Sequence, residues 1–173
     1  MSAPLGLTLS QFDSPIGVLS LACDPGGAVR GVSFGSGLER TMAREYPGVS
    51  RIRGDLAETV CGTLAAYFAG DPSALGRVPW SLDSAASGDG FQARVWRALV
   101  EVPSGQTITY GEIARRTGEP GAAQAAGVAL NRNPIPLVLP CHRVVGSNGT
   151  MVGFGGGLER KTWLLRHEGA LLI

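Results

Sequence analysis

The residues of this chain best suited to covalent chemistry are Cys141 and His142, set in the run Pro140-Cys141-His142-Arg143-Val144. A thiol attacks carbon as its thiolate, and a free cysteine is mostly protonated near neutrality. An imidazole within reach, directly or through one water, can accept that proton. Arg143 adds positive potential only if its side chain turns inward, and the expectation for an arginine is a solvated one. Adjacency does not itself make a pair, because successive residues on a strand point to opposite faces. The two side chains converge only where the chain turns, and Pro134, Pro136 and Pro140 predict such a stiff, irregular stretch. For the dipeptide alone, a small buried cysteine beside a surface histidine is the plainer reading.

The rest of the composition limits what can help that thiol. The chain has 173 residues, 44% hydrophobic and 17% charged, which predicts a soluble globular protein of one sizeable or two small domains. No run approaches the roughly 18 apolar residues of a membrane span. Between Met1 and Phe12 no basic residue precedes an apolar run, so no secretory signal is expected and the cytoplasm is the default location. Cys23, Cys61 and Cys141 cannot all pair, and the only histidines are His142 and His167. Free thiols are therefore expected, with no structural metal and no cofactor. Residues 1–89 hold six arginines against nine acids, whereas residues 90–173 hold nine basic residues against five acids. A basic second half is compatible with a polyanionic partner.

The elements that must position Cys141 can be outlined from periodicity. Leu5–Phe12, Val18–Cys23 and Val29–Phe34 read as strands separated by Pro15-Ile16-Gly17 and Pro25-Gly26-Gly27 turns. Residues 55–68 place Leu56, Val60, Leu64, Tyr67 and Phe68 on one helix face. Residues 82–90 are small and polar without apolar periodicity, as a linker would be. Phe91, Val95, Ala98, Leu99 and Val102 mark another helix. Tyr110–Thr117 and Ala122–Leu130, joined by Gly118-Glu119-Pro120-Gly121, fit either a helix-turn-helix or an ordinary helical hairpin. The second of these is nearly bare of side chains, so it can approach another surface closely, either a neighbouring helix or a nucleic-acid groove.

The sequence around the dipeptide resolves these alternatives. Asn133-Pro134-Ile135-Pro136-Leu137-Val138-Leu139-Pro140-Cys141-His142-Arg143-Val144-Val145 resembles the active-site signature of the O6-alkylguanine-DNA alkyltransferases. Gly155–Lys161 and Trp163–Gly169 resemble that family's closing segment, and Phe91–Val102, Thr109–Ala114 and Gly118–Gly127 match it in order and spacing. The resemblance covers residues 90–173; residues 1–80 fit only in outline.

The resemblance implies an α+β chain of two domains. Residues 1–86 would form an RNase H-like sheet with helices, and residues 87–173 a winged-helix-like DNA-binding and alkyl-acceptor domain. It implies that Cys141 accepts the alkyl group, that His142 is its base through a water, and that Glu168 orients the imidazole. Transfer to sulfur gives a stable thioether, so each molecule acts once. Tyr110 would donate a proton to the leaving guanine, and Asn133 would tie the active-site turn to the recognition helix. The carbonyls of Cys141 and Val144, the side chain of Leu130, the backbone N–H of Gly155 and the aromatic wall of Phe154 would hold the base. Ala123, Gln124, Ala125, Arg132 and Lys161 are assigned to substrate or DNA contact, and Arg115 and Arg116 are candidates for phosphate.

The implied partner is double-stranded DNA, entered through the minor groove with the target base flipped out. O4-alkylthymine is a further candidate substrate. No membrane and no obligate protein partner are implied, and a monomer is expected, with cooperative binding along DNA left open.

Two departures stand out. Gln124 occupies the position where the family usually carries an arginine that fills the gap left by the flipped base, and Phe154 replaces a tyrosine. The alternative to a transferase is a damage sensor of the same fold without chemistry, but relatives of that kind replace the acceptor cysteine, which this chain keeps.

Overall fold

The hydrophobic alternation of the first third does produce strands. The computed structural model describes residues 6–171, so Leu5, with which the first strand was predicted to begin, lies outside the described residues. These residues fall into two compact units, Met1–Gly88 and Asp89–Ile173. Together they make a mixed α+β chain, as expected.

In the first unit, β1 (Gly6–Ser14) and β2 (Gly17–Cys23) form an antiparallel hairpin whose register runs from Thr8↔Cys23 to Ser14↔Gly17. β3 (Val29–Ser33) pairs antiparallel with β2. Sequence periodicity did not reveal the next two elements, α1 (Leu38–Glu45) and β4 (Ser50–Arg53). β4 joins the open edge of β1 in parallel, giving the order β3-β2-β1-β4. α1 lays Leu38 and Met42 against Leu7 and Ala22, with Tyr46 closing the cluster. The helix sits so near the sheet that a Cβ on Gly31 would stand 2.9 Å from Met42 Sδ. α2 (Glu58–Phe68) buries Val60, Leu64 and Tyr67 at helical spacing, as the sequence predicts.

Residues 82–88 are more firmly held than a linker. Glu45 is completely buried in the last turn of α1, and a buried carboxylate requires donors. It receives the Ser87 backbone N–H at 3.1 Å and the Ser87 hydroxyl at 3.0 Å, while the Ala86 N–H reaches the Glu45 carbonyl at 2.7 Å. Leu82 is buried beside them, and the Asp83 carbonyl accepts from Arg30. The small polar composition of this stretch serves an anchored turn.

The second unit is helical around one short strand pair. α3 (Phe91–Ala98) buries Trp96 completely, and the indole Nε1–H donates to the Ala129 carbonyl at 2.7 Å. α5 (Ala123–Asn131) is thereby locked to α3 through a polar bond where its alanines leave little side chain to interlock. α4 (Tyr110–Arg116) begins with Thr109 as its cap, the hydroxyl accepting the Glu112 N–H at 3.1 Å. It ends at Gly118, whose φ of 87° a β-carbon would resist, with the Glu119 N–H on the Ala114 carbonyl and the Gly118 N–H on that of Arg115. α4 and α5 are the two short helices, joined by a tight turn, that the sequence predicts. β5 (Ile108–Thr109) and β6 (Val144–Val145) pair in parallel, and α6 (Leu158–His167) closes the chain.

Candidate active site

The strand pair β5–β6 links Tyr110 to Cys141. It sets Ile108 opposite Val144 and Thr109 opposite Val145, so the first residue of α4 and the turn before β6 emerge side by side. That turn is a short 3-10 segment, Cys141–Arg143, in which all three residues are buried. The prolines before it supply no N–H, so the loop is closed by other groups. Asn133 accepts the Ile135 N–H at 2.9 Å and donates to the Leu139 carbonyl at 2.8 Å, while the Leu139 N–H returns to the Ile135 carbonyl at 2.8 Å. Leu137, fully buried, is held at φ 76°, a left-handed conformation that costs a leucine about 1–2 kcal/mol. Its backbone N–H is one of the groups that favour a thiolate at Cys141.

The thiol itself rests protonated. Burial pushes Cys141 up to about 11, against the opposing pull of the Asn133 amide, the Lys161 ammonium and the backbone of Cys141 and Leu137. The same loss of water acts on His142, fully buried, whose imidazole is held below its ordinary value because burial outweighs the attraction of Glu168. His142 Nε2 lies 2.9 Å from Glu168 Oε2. Burial alone would raise the Glu168 carboxyl, but the hydrogen bond from His142 and the hydrogen bond and charge of Arg143 bring it down to about 2. An ionised carboxylate only accepts hydrogen bonds, so Nε2 carries the proton and Nδ1 carries the lone pair. Nδ1 is also the one buried side-chain polar atom without a hydrogen-bond partner among the described residues. Cys141 is therefore a neutral thiol, and the next residue in the turn, His142, a neutral imidazole whose protonated form a carboxylate would stabilise.

Glu168 owes its place to the end of α6. Gly169, at φ 80°, stops the helix, with the Ala170 N–H on the Leu165 carbonyl and the Gly169 N–H on that of Arg166. Glu168 is thus the capping residue, and a carboxylate there opposes the helix dipole. The compensation comes from Arg143, which the sequence reading left in solvent. Arg143 is only 5% exposed. Its Nε and Nη2 reach the two Glu168 oxygens at 2.8 and 3.0 Å, and Nη1 reaches the Val102 carbonyl at 2.7 Å.

Lys161 also differs from its assignment to DNA or substrate contact. Its side chain is fully buried, and Nζ donates to the Val144 carbonyl at 2.6 Å and the Val152 carbonyl at 3.0 Å. It therefore pins β6 to the segment that carries Phe154 and Gly155. It is the only lysine among 15 basic residues, a signal readable in the sequence. Bridging two carbonyls from a buried position suits a compact ammonium on a flexible stem better than a guanidinium.

The remaining predicted residues divide into those near the thiol and those on the exposed edge of α5. Tyr110 is half-buried, its hydroxyl 3.4 Å from the Gly153 carbonyl, and its ring meets the helix at Gly127, where a Cβ would stand 3.7 Å away. Burial raises the Tyr110 hydroxyl, and the charge of a Cys141 thiolate raises it further. Gln124, Ala125 and Arg132 are exposed, Ala123 is half-buried, and Leu130 is buried at 8% exposure. Phe154 is half-buried, and Gly155 is exposed, with nothing within 4 Å of the place a Cβ would take. Arg115 and Arg116 both pair with Glu112, at 2.5 and 3.3 Å, so neither is an uncommitted cation. No group of three or more potential metal ligands occurs among the described residues.

The contrast between Cys141 and Cys61 gives a direct check. Cys61 is exposed and Cys141 buried. With iodoacetamide at neutral pH, Cys61 should label readily and Cys141 slowly, and the Cys141 rate should climb as pH rises toward about 11. In urea the two should label alike. Rapid neutral labelling of folded Cys141, followed by peptide mass mapping, would mean that the thiol is already ionised.

Known proteins resemble this chain in sequence and in fold. The family model for the 6-O-methylguanine DNA methyltransferase DNA binding domain matches residues 90–170. The methylated-DNA--protein-cysteine methyltransferase of Salmonella typhimurium is 38% identical, with 98% of this chain and 99% of that protein covered. Its counterpart from Mycobacterium leprae is 42% identical over 91% of this chain and 90% of that protein. Among solved structures, Mycobacterium tuberculosis OGT in complex with DNA matches with a TM-score of 0.74 and 37% identity, covering 94% of this chain and 93% of that one. Similarity of this extent over nearly the whole length places the chain in the methylated-DNA--protein-cysteine methyltransferase family.

Proposed function

We propose that this chain repairs alkylated DNA by moving an alkyl group from O6 of guanine onto Sγ of Cys141, irreversibly and once per molecule. The observation that carries this reading is that Cys141, His142 and Glu168 are all buried, with His142 Nε2 on Glu168 and Nδ1 left without a partner. The names of the relatives, which specify methylated DNA and a protein cysteine, support the same reaction.

The bond changes balance without a cofactor. As Sγ forms its bond to the alkyl carbon, the carbon–O6 bond breaks and its electron pair stays with the guanine. The thiol proton passes to His142 Nδ1, through a water if the two are not in direct contact. Tyr110 supplies a proton to the departing guanine and regains one from the imidazolium. In sum, the proton lost by the thiol is the one gained by the base. Glu168 stabilises the transient imidazolium, and the product is a thioether that water does not cleave.

Duplex DNA hides the target atom, so the lesion must be flipped out, at about a few kcal/mol. The exposed edge of α5, with Ala123, Gln124 and Ala125 in its first turn, has side chains small enough for a minor groove. Arg132, exposed at the end of α5, is read as a contact to the DNA backbone. Leu130, Phe154, the Gly155 N–H and the carbonyls of Cys141 and Val144 are read as the walls of the base site, with Asn133 bracing the turn between them. The Val144 carbonyl already accepts from Lys161, and its second lone pair is the one available to a guanine amino group. O4-alkylthymine falls within the same chemistry. The RNase H-like reading of residues 1–86 and the winged-helix-like reading of residues 87–173 belong to this proposal, as do a cytoplasmic location and a monomer without an obligate partner. No helix among the described residues is long and apolar enough to cross a membrane.

Mixing the protein with a duplex containing O6-methylguanine should raise its intact mass by one methylene. The gain should map to the Cys141 peptide and be missing from Cys141→Ala. Lesion binding without a mass change would instead identify a sensor. Gln124 is shorter than the arginine usual at its place and uncharged. Gln124→Arg is accordingly expected to tighten lesion-duplex binding and speed repair by about tenfold, the effect of roughly one added charge-assisted contact. Equal affinity and rate in a single-turnover assay would remove Gln124 from the account of base flipping.

A further inference from the structure

Arg143 is part of the active-site turn, yet its side chain is spent inside the protein on three contacts. Two of them occupy both oxygens of Glu168, and the third fastens the guanidinium to the Val102 carbonyl, where the helical segment after α3 ends. Glu168 Oε2 additionally meets His142 Nε2. Rotating the carboxylate away from the imidazole would break both bonds to Arg143, and a planar fork fixed at its far end resists following it.

We infer that Arg143 is a positioning residue for proton transfer from Cys141: by gripping Glu168 it holds His142 in the tautomer whose Nε2 is protonated and whose Nδ1 is the base. The inference rests on the reading of Cys141 as acceptor and His142 as its base. Three charged groups act on the imidazole, namely Glu168 from the end of α6, Lys161 from within α6, and Arg143 from the turn itself. The two cations oppose an imidazolium and the carboxylate favours it. Arg143 thus has two effects that a merely structural residue lacks. It fixes the direction of the Nε2 proton, and it keeps the resting imidazole from taking a proton out of solvent before the thiol can deliver one.

The test uses the full-length protein labelled with nitrogen-15 in histidine. The wild-type imidazole spectrum of His142 should show a protonated Nε2 and an unprotonated Nδ1 at pH 7. In Arg143→Gln the protonation midpoint of His142 should move to higher pH. The single-turnover transfer rate at pH 7 should fall about tenfold or more, in the range seen when an orienting partner is removed, and recover as pH rises. Arg143→Lys restores the cation and should return most of the midpoint, and it carries the comparison if the glutamine variant does not fold. A wild-type His142 protonated at Nδ1 overturns the inference. So does a midpoint and pH–rate profile unmoved in the variants, whatever happens to stability. If the spectra behave as expected while wild-type protein transfers no alkyl group, the fault lies in the functional reading and not in the grip on Glu168.

Discussion

A carboxylate without water must be surrounded by donors, and much of the second unit is arranged to satisfy that requirement at Glu168. Leaving one partner out of such a buried cluster costs about 3–5 kcal/mol, so the cluster cannot be loosened piecemeal. α6 has to end where it does, with Gly169 in the left-handed region, so that Glu168 caps it. The turn at Cys141–Arg143 has to deliver two successive side chains inward, which a strand could not do. The end of the helical segment at Val102 has to offer a carbonyl. The geometry of the thiol's neighbour is thereby fixed from three directions.

The same dryness governs the nucleophile. A thiol in this environment is protonated and poorly accessible, which protects it from solvent electrophiles and oxidants. In the proposed reaction its ionisation is deferred to the moment when a base is waiting and a leaving group can take up the proton in turn. Asn133, Lys161 and the strained Leu137 all favour the thiolate without being strong enough to produce it at rest. A single-use protein gains from this restraint, since any stray alkylation of Cys141 would consume it.

How much of this could be read in the sequence varied with the physics of each element. The hairpin and α2 were legible because apolar alternation and helical spacing report directly on burial. α1 and β4 were not, since α1 buries only Leu38, Met42 and the charged Glu45, and β4 is a four-residue edge strand that is mostly exposed. Residues 82–90 looked like a linker because the anchoring of residues 82–88 around a buried carboxylate leaves no apolar pattern. Cys141 and His142 were singled out by a contiguous signature and Glu168 by a separate closing segment, and the structure brings His142 and Glu168 together. Arg143 and Lys161 were misread because exposure is the usual fate of a basic residue. Only their three-dimensional partners, the far end of α6 for one and two backbone carbonyls for the other, distinguish them.

In the proposed reaction a neutral His142, through Nδ1, removes the proton from a thiol that is not ionised at rest. The measurement that tests it most directly is the single-turnover alkyl-transfer rate of wild-type protein and His142→Gln as a function of pH. The wild-type rate should be nearly flat through neutrality. The variant should be slower by about 100-fold or more at pH 7, the usual scale for a lost general base, and its rate should rise steadily with pH toward the value at which the thiol ionises unaided. Parallel pH profiles for the two proteins would contradict it, because they would mean that Cys141 loses its proton without help from the imidazole.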